Sequence, residues 1–374
     1  MSGLYVHIPF CKSRCIYCGF YSTVGLDLRQ QYVDAVCQEM KLISEKRKVK
    51  SEKVKTIYLG GGTPSQLTTE QLSRLFYNIY KVYGNEAEEV TIEMNPDDVT
   101  EAYAEVLPQL GINRVSMGAQ TFDNARLKFL HRRHRAEQVQ QAVERLRKAG
   151  IGNNSIDLMY GFPDETLNDW QRDIEAALSL NVEHISAYCL IIEEGTVLYE
   201  KMRDGENEKM SVDEEVERKM YEMLIERLTT VGYEHYEISN FARPGYRSRH
   251  NSSYWHDVPY IGLGAAAHSY NGKSRSWNVA DIRKYMDAIE RGERPAEYET
   301  LDEDTRYNDR ITVALRTSDG LDLSTLSEKH RSFCLKEAQR YICDGLLRID
   351  GSRLMLTRKG LFVSDMVMSG LIYV

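Results

Sequence analysis

The chain lacks any long apolar run. Its longest, Ile185 to Ile192, is about eight residues with Ser186 inside it, well short of the roughly 18 that span a bilayer. No transmembrane helix is expected. Proline is scarce, 8 in 374 residues, and low-complexity tracts are absent, in keeping with a composition of 42% hydrophobic, 28% charged and 10% aromatic residues that excludes collagen-like, coiled-coil and disordered classes. There is no basic excess either: 48 Lys+Arg against 56 Asp+Glu leave a net charge of −8, which disfavours nucleic acid and anionic lipid as partners. The N-terminus, Met1 to Phe10, has neither a basic n-region nor a long apolar h-region, so no secretory signal is read there and the cytosol is the expected compartment. Seven cysteines, an odd count without a secretory signal, do not suggest a disulfide framework, yet three of them fall within residues 11–18. Clustered reduced thiols point to metal.

What is present is a βα alternation. Strand-like runs occur at Leu4–Ile8, Thr56–Leu59, Val90–Met94, Arg114–Met117, Ser155–Met159 and His184–Ile192. Helical patterns fall between them, at about Asp27 to Arg47 and near 69–83, 100–109, 136–149 and 167–179. Six such units require parallel strands with right-handed crossovers. The unusual residues sit at the strand ends (Cys11–Cys18, Gly60–Pro64, Glu93–Pro96, Gln120, Asp157 and Tyr188–Ile192), which predicts an α/β fold of the TIM type, a partial six-stranded (β/α)6 barrel over residues 1–300. The acid-rich stretch 200–222 reads as a linker entering a solvated helix, Val212 to Val231. From about Leu301 to 374 the pattern changes to helices near 302–315, 321–330 and 332–345, two short runs around Asp350-Gly351-Ser352, and a last helix, which predicts a small winged-helix-like α+β domain. Its 11 Lys+Arg against 11 Asp+Glu give no basic face, so packing or partner contact is expected rather than DNA binding.

Cys11-x3-Cys15-x2-Cys18 directly after a strand lets three thiolates converge on one inorganic centre. A 4Fe-4S cluster held this way keeps one iron without a protein ligand, open to an outside chelator. The alternative, structural zinc on these thiols plus His7, lacks the usual second knuckle. Cys37, Cys189, Cys334 and Cys343 are isolated and read as small core residues. Gly60-Gly61-Gly62-Thr63-Pro64 allows close backbone approach to a ligand or forms a tight turn, and is no P-loop. Gly262-Leu263-Gly264-Ala265-Ala266-Ala267 mimics a dinucleotide fingerprint but comes after the βα series, so no nicotinamide site is read there.

Together, the Cys loop, Tyr5 to Cys11, Gly60–Pro64, Glu93-Met94-Asn95-Pro96, Arg114 to Gln120 and Asp157 to Gly161 resemble the radical S-adenosylmethionine (SAM) superfamily. Within it they look like the anaerobic coproporphyrinogen III oxidase family, which holds both oxygen-independent oxidases and haem chaperones, and the resemblance spans essentially the whole chain. It implies a 4Fe-4S cluster on Cys11, Cys15 and Cys18. It also implies SAM held by Tyr5, Gly61, Gly62, Thr63, Glu93, Gln120, Arg132 and Asp157, of which Glu93 and Asp157 suit ribose hydroxyls or an amino group and Arg132 a carboxylate. Two departures point away from the oxidases. Phe20 stands where they carry a fourth cysteine, and their extension before the cluster strand has no counterpart, since this chain enters that strand at Leu4. The segment His250-Asn251-Ser252-Ser253-Tyr254-Trp255, within the region 234–270, resembles the haem-binding motif of the chaperone branch, with His250 as iron ligand, Asn251, Tyr254 and Trp255 around it, and His268 in reserve. The expectation is a cytoplasmic haem chaperone that passes haem to an acceptor protein such as a membrane-associated respiratory enzyme, with an electron donor for the cluster. Its alternative is porphyrinogen oxidative decarboxylation.

Overall fold

A computed structural model describes residues 2–47, 53–203 and 212–374. The six expected strands form, as β1 (Ser2–Ile8), β2 (Val54–Gly61), β3 (Glu89–Met94), β4 (Arg114–Gln120), β5 (Asn153–Tyr160) and β6 (His184–Cys189), each paired in parallel with the next. Between them run α1 (Arg29–Arg47), α2 (Thr69–Tyr83), α3 (Glu101–Val106), α4 (Asn124–Phe129), α5 (Ala136–Lys148) and α6 (Leu167–Ser179). The helices start where local chemistry satisfies their free N–H groups: Thr68 and Gln71 form a capping box on α2, and Asp123 accepts from Ala125 and Arg126 at α4. Pro108 shortens the helix expected over 100–109 by starting a 3-10 turn after Leu107.

The sheet does not stop at six strands. After α7 (Val197–Arg203) and α8 (Glu214–Thr230) come β7 (Glu234–Glu237), β8 (Asn240–Ala242), α9 (Arg249–Trp255), β9 (Tyr260–Leu263), β10 (His268–Tyr270), β11 (Ser274–Asn278), α10 (Ile282–Glu290) and β12 (Ala296–Thr300). They extend one mixed sheet in the order β12-β11-β10-β9-β1-β2-β3-β4-β5-β6-β8-β7, in which β9 is parallel to β1 and β8 antiparallel to β6. The linker expected over 200–222 is in part α7 and α8, and residues 204–211 lie outside the described residues. β6 is shorter than the run His184–Ile192. Its ladder with β5 ends at Tyr160–Cys189, where Gly161 (φ +81°) turns β5 away, and Ile191 is left 69% exposed.

The two faces of β1–β6 differ sharply. Leu4, Val6, Ile57, Ile92, Val115 and Ile156 belong to one buried apolar core with the helices, while the alternate positions are polar. Register stacks these polar positions in rows, with Thr91 opposite Arg114, Glu93 opposite Ser116, Gly118 opposite Asp157 and Asp157 opposite Ser186. Parallel strands covered on both faces are usually apolar throughout, so a buried polar face marks an enclosed polar interior.

A second core lies in α11 (Glu303–Ala314), β13 (Leu321–Asp322), α12 (Glu328–Cys343), β14 (Leu347–Asp350), β15 (Arg353–Leu356) and α14 (Ser364–Ser369), while Leu361 of the intervening α13 (Arg358–Leu361) packs against the first core. The helix expected over 321–330 is not formed. Leu321 and Asp322 pair with Leu354 and Arg353, and α12 begins only at Glu328, capped by Ser327. The two cores meet along β7, where Ile238 donates to the Arg316 carbonyl and Arg316 pairs with buried Glu237. No helix among the described residues is long and apolar enough to cross a membrane.

Candidate cofactor site

The loop after β1 carries the three thiols. It is pinned at its middle by Ile16, 2% exposed, which packs with Leu130, Phe162, Leu190 and Leu198 and donates its N–H to the Leu130 carbonyl at 3.3 Å. At its ends the Cys11 N–H donates to Thr23 O at 2.9 Å, and the Cys11 sulfur lies 3.4 Å from the Thr63 hydroxyl. Burial pushes the Cys11 and Cys18 thiols up from their ordinary pKa, so a metal binding there would have to displace their protons. His7 does not face them. Its ring nitrogens are hydrogen-bonded to the Tyr5 hydroxyl (3.0 Å) and the Tyr21 carbonyl (3.1 Å).

Cys11, Cys15 and Cys18 open onto a cavity of about 590 Å³ at the C-terminal ends of the strands. Gly61, Gly62, Thr63, Glu93, Gln120, Arg132 and Asp157 line the same cavity, so every cluster and SAM candidate except Tyr5 reaches it. A side chain at Gly62 would force the backbone apart, because a Cβ there would lie 2.8 Å from the Pro9 carbonyl carbon and 2.9 Å from Ile8 O. Gln120 holds a left-handed φ of 66°, a conformation retained by a non-glycine residue only where its surroundings enforce it. The Glu93 carboxylate accepts from the Tyr58 hydroxyl at 2.7 Å and the Gly61 N–H at 3.2 Å, and burial pushes it up to about 7. Asp157 accepts from the Ser116 hydroxyl at 3.4 Å and is pushed up by burial to about 6. Arg132 donates to Asn95 Oδ1 and the Gly118 carbonyl, both at 2.6 Å, and to the Cys15 sulfur at 3.6 Å, while its buried Nε has no partner.

This donor set suits an iron–sulfur cluster with a polar ligand beside it. Among the described residues no three His, Cys, Asp or Glu side chains converge on a single metal ion, but a four-iron cube takes each thiolate on its own iron and needs only three sulfurs on one wall. The orphaned Arg132 Nε offers a donor, and Gly61 and Gly62, without side chains, leave room at the cavity wall for a ligand lying against the cluster.

The haem candidates are split by the helix that carries them. At the i, i+4 spacing of α9, His250 and Tyr254 face inward and, with Asn251 and Tyr5, line a second cavity of about 240 Å³. Trp255 instead lines a crevice against Arg316 and Met368 of the second core, with the Arg316 guanidinium 5.3 Å from its ring centre. His250 is fully buried and has both ring nitrogens engaged, Nδ1 with the Thr56 hydroxyl and Nε2 with the Tyr254 hydroxyl, each at 2.8 Å. Burial lowers its pKa to about 3, so the ring is neutral. His268 is exposed on β10 and stacks on Trp277 at 6.0 Å. Phe20, 70% exposed, and Ile191 stand at the mouth of the larger cavity. Gly262 and Gly264 serve packing: a Cβ would meet His268 O at 1.9 Å and the Tyr32 hydroxyl at 2.3 Å. Sequence reasoning gave no site role to Tyr58, Asn95, Ser116 and Arg114, although the last three lie within the segments that carry the resemblance; Tyr58, Ser116 and Arg114 alternate with apolar neighbours along their strands.

Comparison with known proteins places the chain in a family. Residues 5–177 match the model of the radical SAM superfamily, and residues 301–363 match that of the HemN C-terminal domain. The chain is 36% identical over 364 residues to the heme chaperone HemW of Lactococcus lactis, covering 96% of this chain and 94% of that one. It is 36% identical over 334 residues to the heme chaperone HemW of Bacillus subtilis, covering 88% and 87%. Among solved structures, coproporphyrinogen III oxidase (HemN) from Escherichia coli superposes with a TM-score of 0.84 at 23% identity, over 99% of this chain and 89% of that one, a likeness of fold.

Proposed function

The chain belongs to the radical SAM superfamily and, within it, to the family of the heme chaperone HemW, and from that premise we propose that it binds haem and passes it to an acceptor protein. The observation that carries this reading is the near full-length likeness to the Lactococcus and Bacillus proteins. The strands and helices of 1–300 are read as a partial β/α barrel of six units, and 301–374 as a winged-helix-like domain offered to a partner. The acceptor is read as a protein such as a membrane-associated respiratory enzyme, and the compartment as the cytosol. In the larger cavity Cys11, Cys15 and Cys18 would hold a 4Fe-4S cluster. Gly61, Gly62, Thr63, Glu93, Gln120, Arg132 and Asp157 would hold SAM, with Tyr5 supporting them from the inner side through His7. Such a cluster supplies one-electron chemistry when bound and reduced by an electron donor.

Haem is assigned to the segment His250–Trp255, with Asn251 and Tyr254 beside His250, while Trp255 lies in its separate crevice under Arg316 and would have to turn to add an aromatic face. Ligation by His250 requires the Tyr254 hydroxyl to leave Nε2. His268 is the alternative ligand, already exposed. The test is an anaerobic haem titration of cluster-loaded protein followed at the Soret band, with His250→Ala and His268→Ala in parallel. Saturable binding weakened at least tenfold by one of the two substitutions is expected and names the ligand. No saturable binding, together with turnover of coproporphyrinogen, would replace the chaperone by an oxidase.

A further inference from the structure

The two cavities on the polar face share a wall. Glu93, Ser116, Asp157 and Tyr188 line both of them, so the two carboxylates look outward to the cysteine-lined space and inward to the smaller one. Arg114 lines only the inner cavity. It is 1% exposed, and its Nε and Nη1 have no hydrogen-bond partner. Strand register places it two residues before Ser116, which is opposite Glu93, and four before Gly118, which is opposite Asp157. It therefore stands on the same face, one and two rows beneath them. A buried guanidinium with unmet N–H groups is costly unless counter-charge is near, and these two carboxylates share its cavity.

The other titratable groups around the carboxylates are neutral or lie outside the inner cavity. Tyr5 from β1, Tyr58 from β2, Tyr188 from β6 and Tyr254 from α9 are all held protonated by burial. His250 from α9 and His184 from β6 are held neutral by burial, with Arg114 acting in the same direction. Arg132 faces Asp157 from the outer cavity. Arg114 is thus the one cation lining the inner cavity among the described residues.

We propose that Arg114 is a positioning residue for the cofactor site: across the inner cavity its guanidinium is the counter-charge that keeps Glu93 and Asp157 as carboxylates, ready to accept from hydroxyl and amino groups of the cofactor on the outer wall. This rests on the SAM reading of the outer cavity. Burial drives both carboxyls toward the neutral acid, and Arg114 opposes it in both. A neutral carboxyl is a poorer acceptor for a cationic amino group, so loss of Arg114 must weaken cofactor binding in a pH-dependent way.

The experiment measures SAM binding to the cluster-loaded full chain by anaerobic equilibrium dialysis between about pH 5.5 and 8.5, a range that lies above ordinary carboxyl titrations and spans the raised ones. In parallel it follows the infrared band of protonated carboxyl groups, assigned with Glu93→Gln and Asp157→Asn. Arg114→Gln is expected to move the midpoint of both curves upward by about one pH unit, the lower end of what an opposite charge at close range does. It should weaken SAM binding about tenfold near neutral pH, with the difference closing at the alkaline end. Arg114→Lys keeps the charge and the wild-type midpoint. A folded Arg114→Gln protein with unmoved midpoints overturns the proposal. If that variant does not fold, Arg114→Lys decides, a wild-type midpoint supporting the charge role and a displaced one overturning it. Failure of the wild-type chain to bind SAM sinks the SAM reading alone, because the infrared midpoint still reports what Arg114 does to the carboxyls.

Discussion

Adding one methyl at Gly62 tests whether the glycine turn after β2 sets the position of the cysteine loop. A Cβ at this position lies 2.8 Å from the Pro9 carbonyl carbon and 2.9 Å from both Ile8 O and Phe10 N. All three atoms are backbone, so no side chain can rotate away. Ordinary contact begins at 3.4 Å, and 3.4 − 2.8 leaves 0.6 Å to be found by moving one segment from the other. The segment that must move, Ile8 to Phe10, delivers Cys11, and the Gly62 N–H donates to Ile8 O at 2.9 Å, so separation also stretches that bond. Overpacking of this kind costs about 1–3 kcal/mol, and a site needs its groups within about 0.5 Å of the working geometry. Gly62→Ala is therefore expected to lower the urea midpoint by the equivalent of about 2 kcal/mol at unchanged m-value. It should also bind SAM about tenfold more weakly after cluster reconstitution, the loss expected when positioning is off by that distance. Gly152→Ala is the control, since a Cβ there meets nothing within 4 Å. If the two variants match wild type equally in urea and in SAM binding, the cradle has no steric role and the reasoning is wrong.

Buried Glu39 accepts from Gly264 N–H, Tyr285 OH, Asn278 and Arg294, all between 2.7 and 2.9 Å, tying α1 to β11 and α10. Glu39→Ala is expected to cost about 3 kcal/mol because Arg294, its side chain 12% exposed, is left without its counter-charge, and adding Arg294→Met should restore part of the loss in chemical denaturation. Glu93 has its folded pKa raised by burial to about 7 from 4.5, so its contribution to stability is full below about pH 4.5 and is lost as pH rises through about 7. The wild-type minus Glu93→Gln difference in unfolding free energy should therefore fall by on the order of 3 kcal/mol across that window, and a flat difference would show that the carboxyl titrates normally. Ile16→Ala removes the anchor of the cysteine loop at a cost of about 2 kcal/mol, the low end for a buried isoleucine. Cluster iron should then pass to a chelator several times faster, and an unchanged rate would mean that the loop is held by its ends.

The first six strands and the cysteine loop were legible because each strand is a β-rich run of six to eight residues set off by helical periodicity. Strands β7 to β12 were not, for they are three to five residues long, too short to show a period and defined only by the neighbours they pair with. The misread helix over 321–330 has the same cause, since Leu321 and Asp322 become a strand only because Leu354 and Arg353 lie beside them. At the site, the cysteines, the glycine turn, Glu93 and Asp157 announce themselves at strand ends. Arg114 does not, because it begins a strand at the opposite end, and only the register of β3, β4 and β5 shows that it shares an interior with the carboxylates.

Helix α9 joins the two halves of the functional question. Its first N–H groups, from Arg249 and His250, donate at 2.9 and 2.8 Å to the buried carboxylate of Glu89 at the start of β3, and His250 bridges Thr56 of β2 to Tyr254. The imidazole is thus part of the wall of the cavity that Arg114, Glu93 and Asp157 share. Haem bound through His250 must take Nε2 from Tyr254 and so open that wall, which changes the surroundings of the carboxylates assigned to SAM. Linkage then requires SAM to alter haem affinity by the same factor that haem alters SAM affinity, typically about 5- to 150-fold for coupled sites. Haem bound through His268, exposed on β10 and outside that cavity, opens nothing and leaves the two affinities independent. Haem titrations with and without saturating SAM separate the two cases: reciprocal coupling abolished by Tyr254→Phe places the iron on His250, and equal affinities place it on His268.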